Sequence, residues 1–104
     1  MKVVYNSDYG GYFVPGDVVV DLFPEAAGLD PFTHEYQLFG DAADDMPRHD
    51  ARLVAAVEAY IAKVGEDDTS LAVADVSGDR YWIEDYDGKE TVRTPETIPW
   101  VKVK

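Results

Sequence analysis

Fourteen residues near the middle of the chain constrain the fold more than any other stretch. Leu53, Val57, Tyr60 or Ile61, and Val64 recur at helical spacing, with Val54 widening the apolar stripe. Asp50 stands where an N-cap belongs, Lys63 in the last turn, and Gly65 just past the end. An amphipathic helix of this length must bury its stripe against something. The remaining elements are therefore expected to supply a facing layer.

That layer reads as β-structure. Lys2-Val3-Val4-Tyr5-Asn6 is β-branched and aromatic and ends in Asn6-Ser7-Asp8. Tyr9-Gly10-Gly11-Tyr12 follows as a glycine turn between aromatics. Residues 70–76 and 81–86 read as strands separated by Ser77-Gly78-Asp79. Asp87-Gly88 is a type I′ hairpin signal that returns the chain into Lys89–Arg93. Earlier segments are less decided. Residues 15–23 fit a short helix started by Pro15 or Asp17, or a strand through three valines, and the start signal favours the helix. Glu35 to Phe39 alternates and reads as a short strand, with an acidic loop from Gly40 to Pro47. Ile98 to Lys104 would add an edge strand beyond Pro95 and Pro99. The expectation is one α+β domain over residues 1–104: a mainly antiparallel sheet, with the long helix and a possible short one packed on one face. Leu53, Val57 and Ile61 should be buried there beside Val4, Leu71, Val73 and Ile83.

With 104 residues, 46% of them hydrophobic, the chain can bury a core, and its aromatic content argues against disorder. It contains no cysteine, which removes disulfides, thiolate zinc sites and a thiol nucleophile, and agrees with a reducing cytoplasm. No signal peptide or membrane-spanning stretch is apparent. Twenty-one acids against nine bases give a net charge of −12. Residues 35–75 carry −7 of this, against −4 before them and −1 after. Such a surface repels nucleic acid and anionic membrane and attracts basic protein surfaces. The plainer reading is that the acidity keeps the protein soluble.

The chemistry-bearing patterns are sparse. His34 and His49 lie among Asp41, Asp44, Asp45 and Asp50, but without a His-x-x-x-His pair or an EF-hand loop. Solvated acids are the better reading there, and no metal is expected. Gly10-Gly11 lacks the context of a phosphate loop, and Ser7, Ser70 and Ser77 sit in no nucleophile elbow. No cofactor and no catalytic residues are expected. A two-residue hairpin turn sets Asp85 opposite Glu90, and a three-residue bulged turn sets Glu84 opposite Glu90. Either places two carboxylates face to face, to share a proton, to be screened, or to await a partner's Lys or Arg. The residues expected to meet a basic partner are Asp41, Asp44, Asp45, Glu66, Asp67, Asp68, Glu84, Asp85 and Glu90.

Lys2-Val3-Val4 followed by Tyr9-Gly10-Gly11-Tyr12, then His49-Asp50 with Leu53-Val54 and Val57-Glu58, then Trp82 through Gly88 with Glu90, form a set spread over most of the chain. In this set the sequence resembles a family of small uncharacterised bacteriophage and prophage proteins. That family's pattern runs from the glycine pair into a Ser- or Asp-capped helix, where this chain has Val14-Pro15-Gly16-Asp17. The resemblance implies a phage or mobile-element origin, hence the host cytoplasm, and brings no activity. Three functions follow as expectations. The first is a non-catalytic acidic binding protein, an inhibitor resembling an anti-CRISPR nucleic-acid mimic, which occupies the basic surface of a host nucleic-acid-binding protein. The second is a phage accessory or structural protein whose acidity serves solubility. The third is a small metal-dependent hydrolase using residues 41–50.

Overall fold

The long helix, α3, spans Ala51–Val64. The Asp50 carboxylate caps it by accepting from the backbone N–H groups of Arg52 at 2.9 Å and Leu53 at 3.4 Å. Gly65 ends it at φ +91°, a conformation few side chains tolerate, and donates to the Ile61 carbonyl. Leu53 and Val57 are fully buried, while Ile61 is half-buried. Burying one such side chain is worth about 1.5–3 kcal/mol, so this face anchors the domain.

The computed structural model describes residues 1–95. The edge strand expected at residues 98–104 lies outside them. The chain begins with β1, Lys2–Asn6, which pairs antiparallel with β2, Leu71–Asp75, in the register Val4↔Val73. α3 packs against this pair, with Val4 and Leu71 in the main apolar cluster and Val73 packed on it. A helix does form at residues 15–23: α1 runs Gly16–Leu22. Its first turn closes by bonds from Val18 and Val19 to the Pro15 carbonyl, each 3.0 Å. Val18 and Val19 are buried against α3, so tertiary burial overrides the strand preference of three consecutive valines.

Residues 34–44 differ from expectation. They form a second helix, α2 (His34–Asp44), not a strand followed by a loop. Thr33 caps it by accepting from the Tyr36 N–H at 3.3 Å. Tyr36, Phe39 and Ala43 fall on its packed side, a 3–4 spacing that five residues of alternation conceal. Phe39 meets Phe23 with ring centroids 5.7 Å apart, which joins α2 to the segment after α1.

The second sheet is separate. β3 (Trp82–Tyr86) and β4 (Lys89–Arg93) form a two-residue hairpin in the register Tyr86↔Lys89, with Asp87 at φ +55° and Gly88 at φ +88°. The architecture is thus α+β with three α-helices and two two-stranded antiparallel sheets among the described residues, in place of one main sheet with one or two helices. Ile83, expected beside α3, lies in the hairpin and is half-buried.

Candidate functional site

The nine acids singled out in sequence divide by what surrounds them. Glu90 is buried, not solvent-facing. Arg48 forks onto it with Nη1–Oε1 at 2.7 Å and Nη2–Oε2 at 2.9 Å, and the Asn6 backbone N–H donates to the same Oε1 at 2.8 Å. The Arg48 guanidinium also lies 3.3 Å over the Tyr12 ring. Glu90 is therefore committed to the structure, which overturns its expected partner-facing role. Asp85 does stand opposite Glu90 in the ladder, but its carboxylate turns to the Gly88 N–H at 2.8 Å. Glu84 accepts from Arg93 Nε at 2.8 Å. The facing carboxylates separate because each has a nearer donor. Arg48 went unnoticed in the sequence because it falls between the acidic loop ending at Pro47 and the helix cap at Asp50, and its partner lies 42 residues further on.

Asp41 and Asp44 lie on α2 and Asp45 is its C-cap, so the expected loop is the end of a helix. Asp44 accepts from the Val14 N–H at 2.8 Å. Its pKa is raised above the ordinary carboxylate value, first by burial and then by the charges of Asp41 and Asp45, against the Val14 bond and Arg48. Asp41, Asp44 and Asp45 are all exposed overall, so the burial acting on Asp44 is partial. Three carboxylates at the negative end of a helix dipole, with no base in the last turn, deepen the local negative potential.

Glu66, Asp67 and Asp68 form an exposed 3-10 turn directly after α3. The Ser7 N–H and hydroxyl both donate to the Ser70 carbonyl, at 2.7 and 2.8 Å, and prolong the β1–β2 pairing. This brings Asp8 to the same hollow as Glu66, Asp67 and Asp68. Asp8 was missed in the sequence because only the register of β1 on β2 places it there. Asp68 also borders a hollow with Phe13, Pro15 and Gly16, next to the Val14 that Asp44 holds.

The bases are otherwise engaged. Lys2 pairs with Glu58, Arg52 with Asp50, Lys63 with Asp17, and Arg80 with Asp79. Lys89 stands 5.6 Å over the Tyr9 ring. Among the described residues, Asp41, Asp45, Glu66, Asp67 and Asp68 have no basic group within 4.0 Å.

His34 starts α2, whereas His49 Nδ1 lies 2.7 Å from the Tyr81 hydroxyl. Burial raises the Tyr81 pKa above its ordinary value, against the Arg48 charge and a hydrogen bond involving His49. Among the described residues no group of three or more His, Asp or Glu is arranged to hold a metal ion. No helix among them is long and apolar enough to cross a membrane. Comparison with family models, curated proteins and solved structures found no match.

Proposed function

We propose that the chain is a non-catalytic acidic binding protein of phage or mobile-element type that occupies a basic, nucleic-acid-binding surface of a host protein in the host cytoplasm. One observation supports this reading most. Asp41 and Asp45 at the end of α2 and the three acids in the turn after α3 have no basic group within 4.0 Å among the described residues, while every described Lys and Arg is taken up elsewhere. Asp41, Asp45, Glu66, Asp67 and Asp68, with Asp8 beside the last three, are the contact residues of this reading. Asp44, Glu84, Asp85 and Glu90 drop out because their carboxylates already serve the fold.

The test is titration against purified basic host nucleases and repressors at stepped salt, with duplex DNA as competitor. A partner should lose at least about tenfold in affinity between 50 and 200 mM salt and be displaced by DNA. Neutralising Glu66, Asp67 and Asp68 to Gln, Asn and Asn should slow association about tenfold and flatten the salt dependence. Binding indifferent to both changes would end this reading.

A second reading, a phage accessory protein whose acidity serves solubility, draws on Phe32 and Leu38, which are 91% and 56% exposed. It predicts self-association by sedimentation, lost in Phe32→Ser.

A further inference from the structure

The two outer edges of the β1–β2 sheet are treated differently by the fold. Met1 and Val76 exchange both backbone bonds, at 2.9 and 2.7 Å, and Ser7 donates to Ser70. These bonds set the phase of the ladder: Val3 and Tyr5 of β1 bond Ala74 and Ala72 of β2. The residues between them turn their backbone groups outward. On β1 the central ones, at Val4 and the Asn6 N–H, are satisfied. The Val4 N–H donates to the Arg48 carbonyl at 2.8 Å, Arg48 Nη1 donates to the Val4 carbonyl, and Asn6 donates to Glu90.

On β2 the outward residues are Leu71, Val73 and Asp75. The Leu71 N–H is taken by the Thr69 hydroxyl at 3.1 Å. The N–H groups of Val73 and Asp75 and the carbonyls of all three residues have no protein partner among the described residues. Beside this edge runs a groove of about 550 Å3 between β2 and α3, lined by Tyr5, Ile61, Ala62 and Val73 with Glu58 and Glu66.

We propose that the outer edge of β2 accepts an extended peptide of alternating apolar and basic residues as a third strand. Outward N–H and C=O groups spaced along the strand give the pairing, and alternate side chains of a peptide enter the groove. Ile61, Ala62 and Val73 receive the apolar set. Glu66 at one end and Asp75 at the other, 82% exposed though 3.7 Å from the Met1 ammonium, select basic residues. A second copy of β2 is a poor occupant, because each chain brings a net charge of −12 to a five-residue edge. The preference for basic residues rests on the functional reading above; the extended form of the ligand does not.

The experiment follows amide hydrogen exchange by NMR in the full chain. The probes are a peptide of about eight residues alternating Val and Lys, its Val/Thr and Val/Glu counterparts, and a Val/Lys peptide N-methylated at alternate residues. The Val/Lys peptide should slow exchange at Val73 and Asp75 at least tenfold, and N-methylation along one edge should abolish this. Binding without protection of those amides would overturn the edge site and leave the basic-partner reading standing. Equal protection by Val/Thr and Val/Lys would uphold the edge and count against the basic partner. Protection in the protein alone, with a dimer in sedimentation, would assign the edge to a second copy and overturn the proposal. So would the absence of protection by every peptide.

Discussion

The helical body and the β3–β4 hairpin are held by different forces. In the body, α1 packs on α3 and α3 on β1–β2, through Val4, Val18, Val19, Leu53 and Val57, all essentially inaccessible to solvent. The hairpin has one deeply buried side chain in its strands, and it is the charged Glu90. It reaches the body through the Arg48 fork, the Asn6 Nδ2–H donating to the Gly88 carbonyl at 2.7 Å, and the His49–Tyr81 contact. A two-stranded hairpin is marginal alone. Burial of apolar area tolerates small displacements, whereas a bidentate ion pair holds one geometry. The body therefore sets global stability, and the hairpin's position depends on a few polar atoms.

If the body carries global stability, damage to it takes the hairpin along, whereas damage to the hairpin spares the body. Leu53→Ala removes a fully buried side chain from the body and should cost about 3–5 kcal/mol. Denaturant unfolding should lose both regions in one transition, since the hairpin cannot outlast its support. Glu90→Gln tests the other side. It strands the Arg48 charge, and because Arg48 keeps 20% exposure the cost should be about 3 kcal/mol, at the low end for a broken buried pair. Hairpin amides should lose exchange protection while helical circular dichroism persists. Adding Arg48→Met should recover part of the loss, and a double-mutant cycle reads the coupling.

Gly88→Val sharpens the contrast by steric means. A Cβ there would stand 2.3 Å from the Gly11 nitrogen, at a φ of +88° that β-branched residues avoid. The loss should be roughly 2 kcal/mol or more, read by thermal unfolding. The smallest expected effect is Tyr12→Phe, at the seam between the regions. The Tyr12 hydroxyl is buried without a hydrogen-bond partner among the described residues, so at neutral pH its removal should change stability by less than about 0.5 kcal/mol. Burial pushes the Tyr12 pKa up to about 12 from 10.0, with Arg48 opposing and Asp44 and Glu90 adding to the rise. The unfolded chain thus gives up this proton before the folded one, and stability falls as pH rises from 10 towards 12. In the Phe variant that part of the alkaline decline should be missing.

Local pattern alone determined α3 with both caps, β1, and the Asp87-Gly88 hairpin, whose two-residue turn length the structure decided. Each of these depends on neighbours in the chain: an Asp accepting from the first turn, a glycine at positive φ, an Asp-Gly turn between alternating strands. The net charge and its bias toward the middle third were likewise legible. Only the tertiary structure decided which of those charges remain available. Asp44, Asp85 and Glu90 look no different in sequence from Asp41, Asp67 and Asp68, yet Glu90 meets Arg48 across 42 residues and Asp44 meets Val14 across 30. The same holds for α2, whose 3–4 spacing became evident only with Tyr36, Phe39 and Ala43 on the packed side. A carboxylate's role follows from the nearest donor in space, and chain spacing does not encode that distance beyond a turn or two.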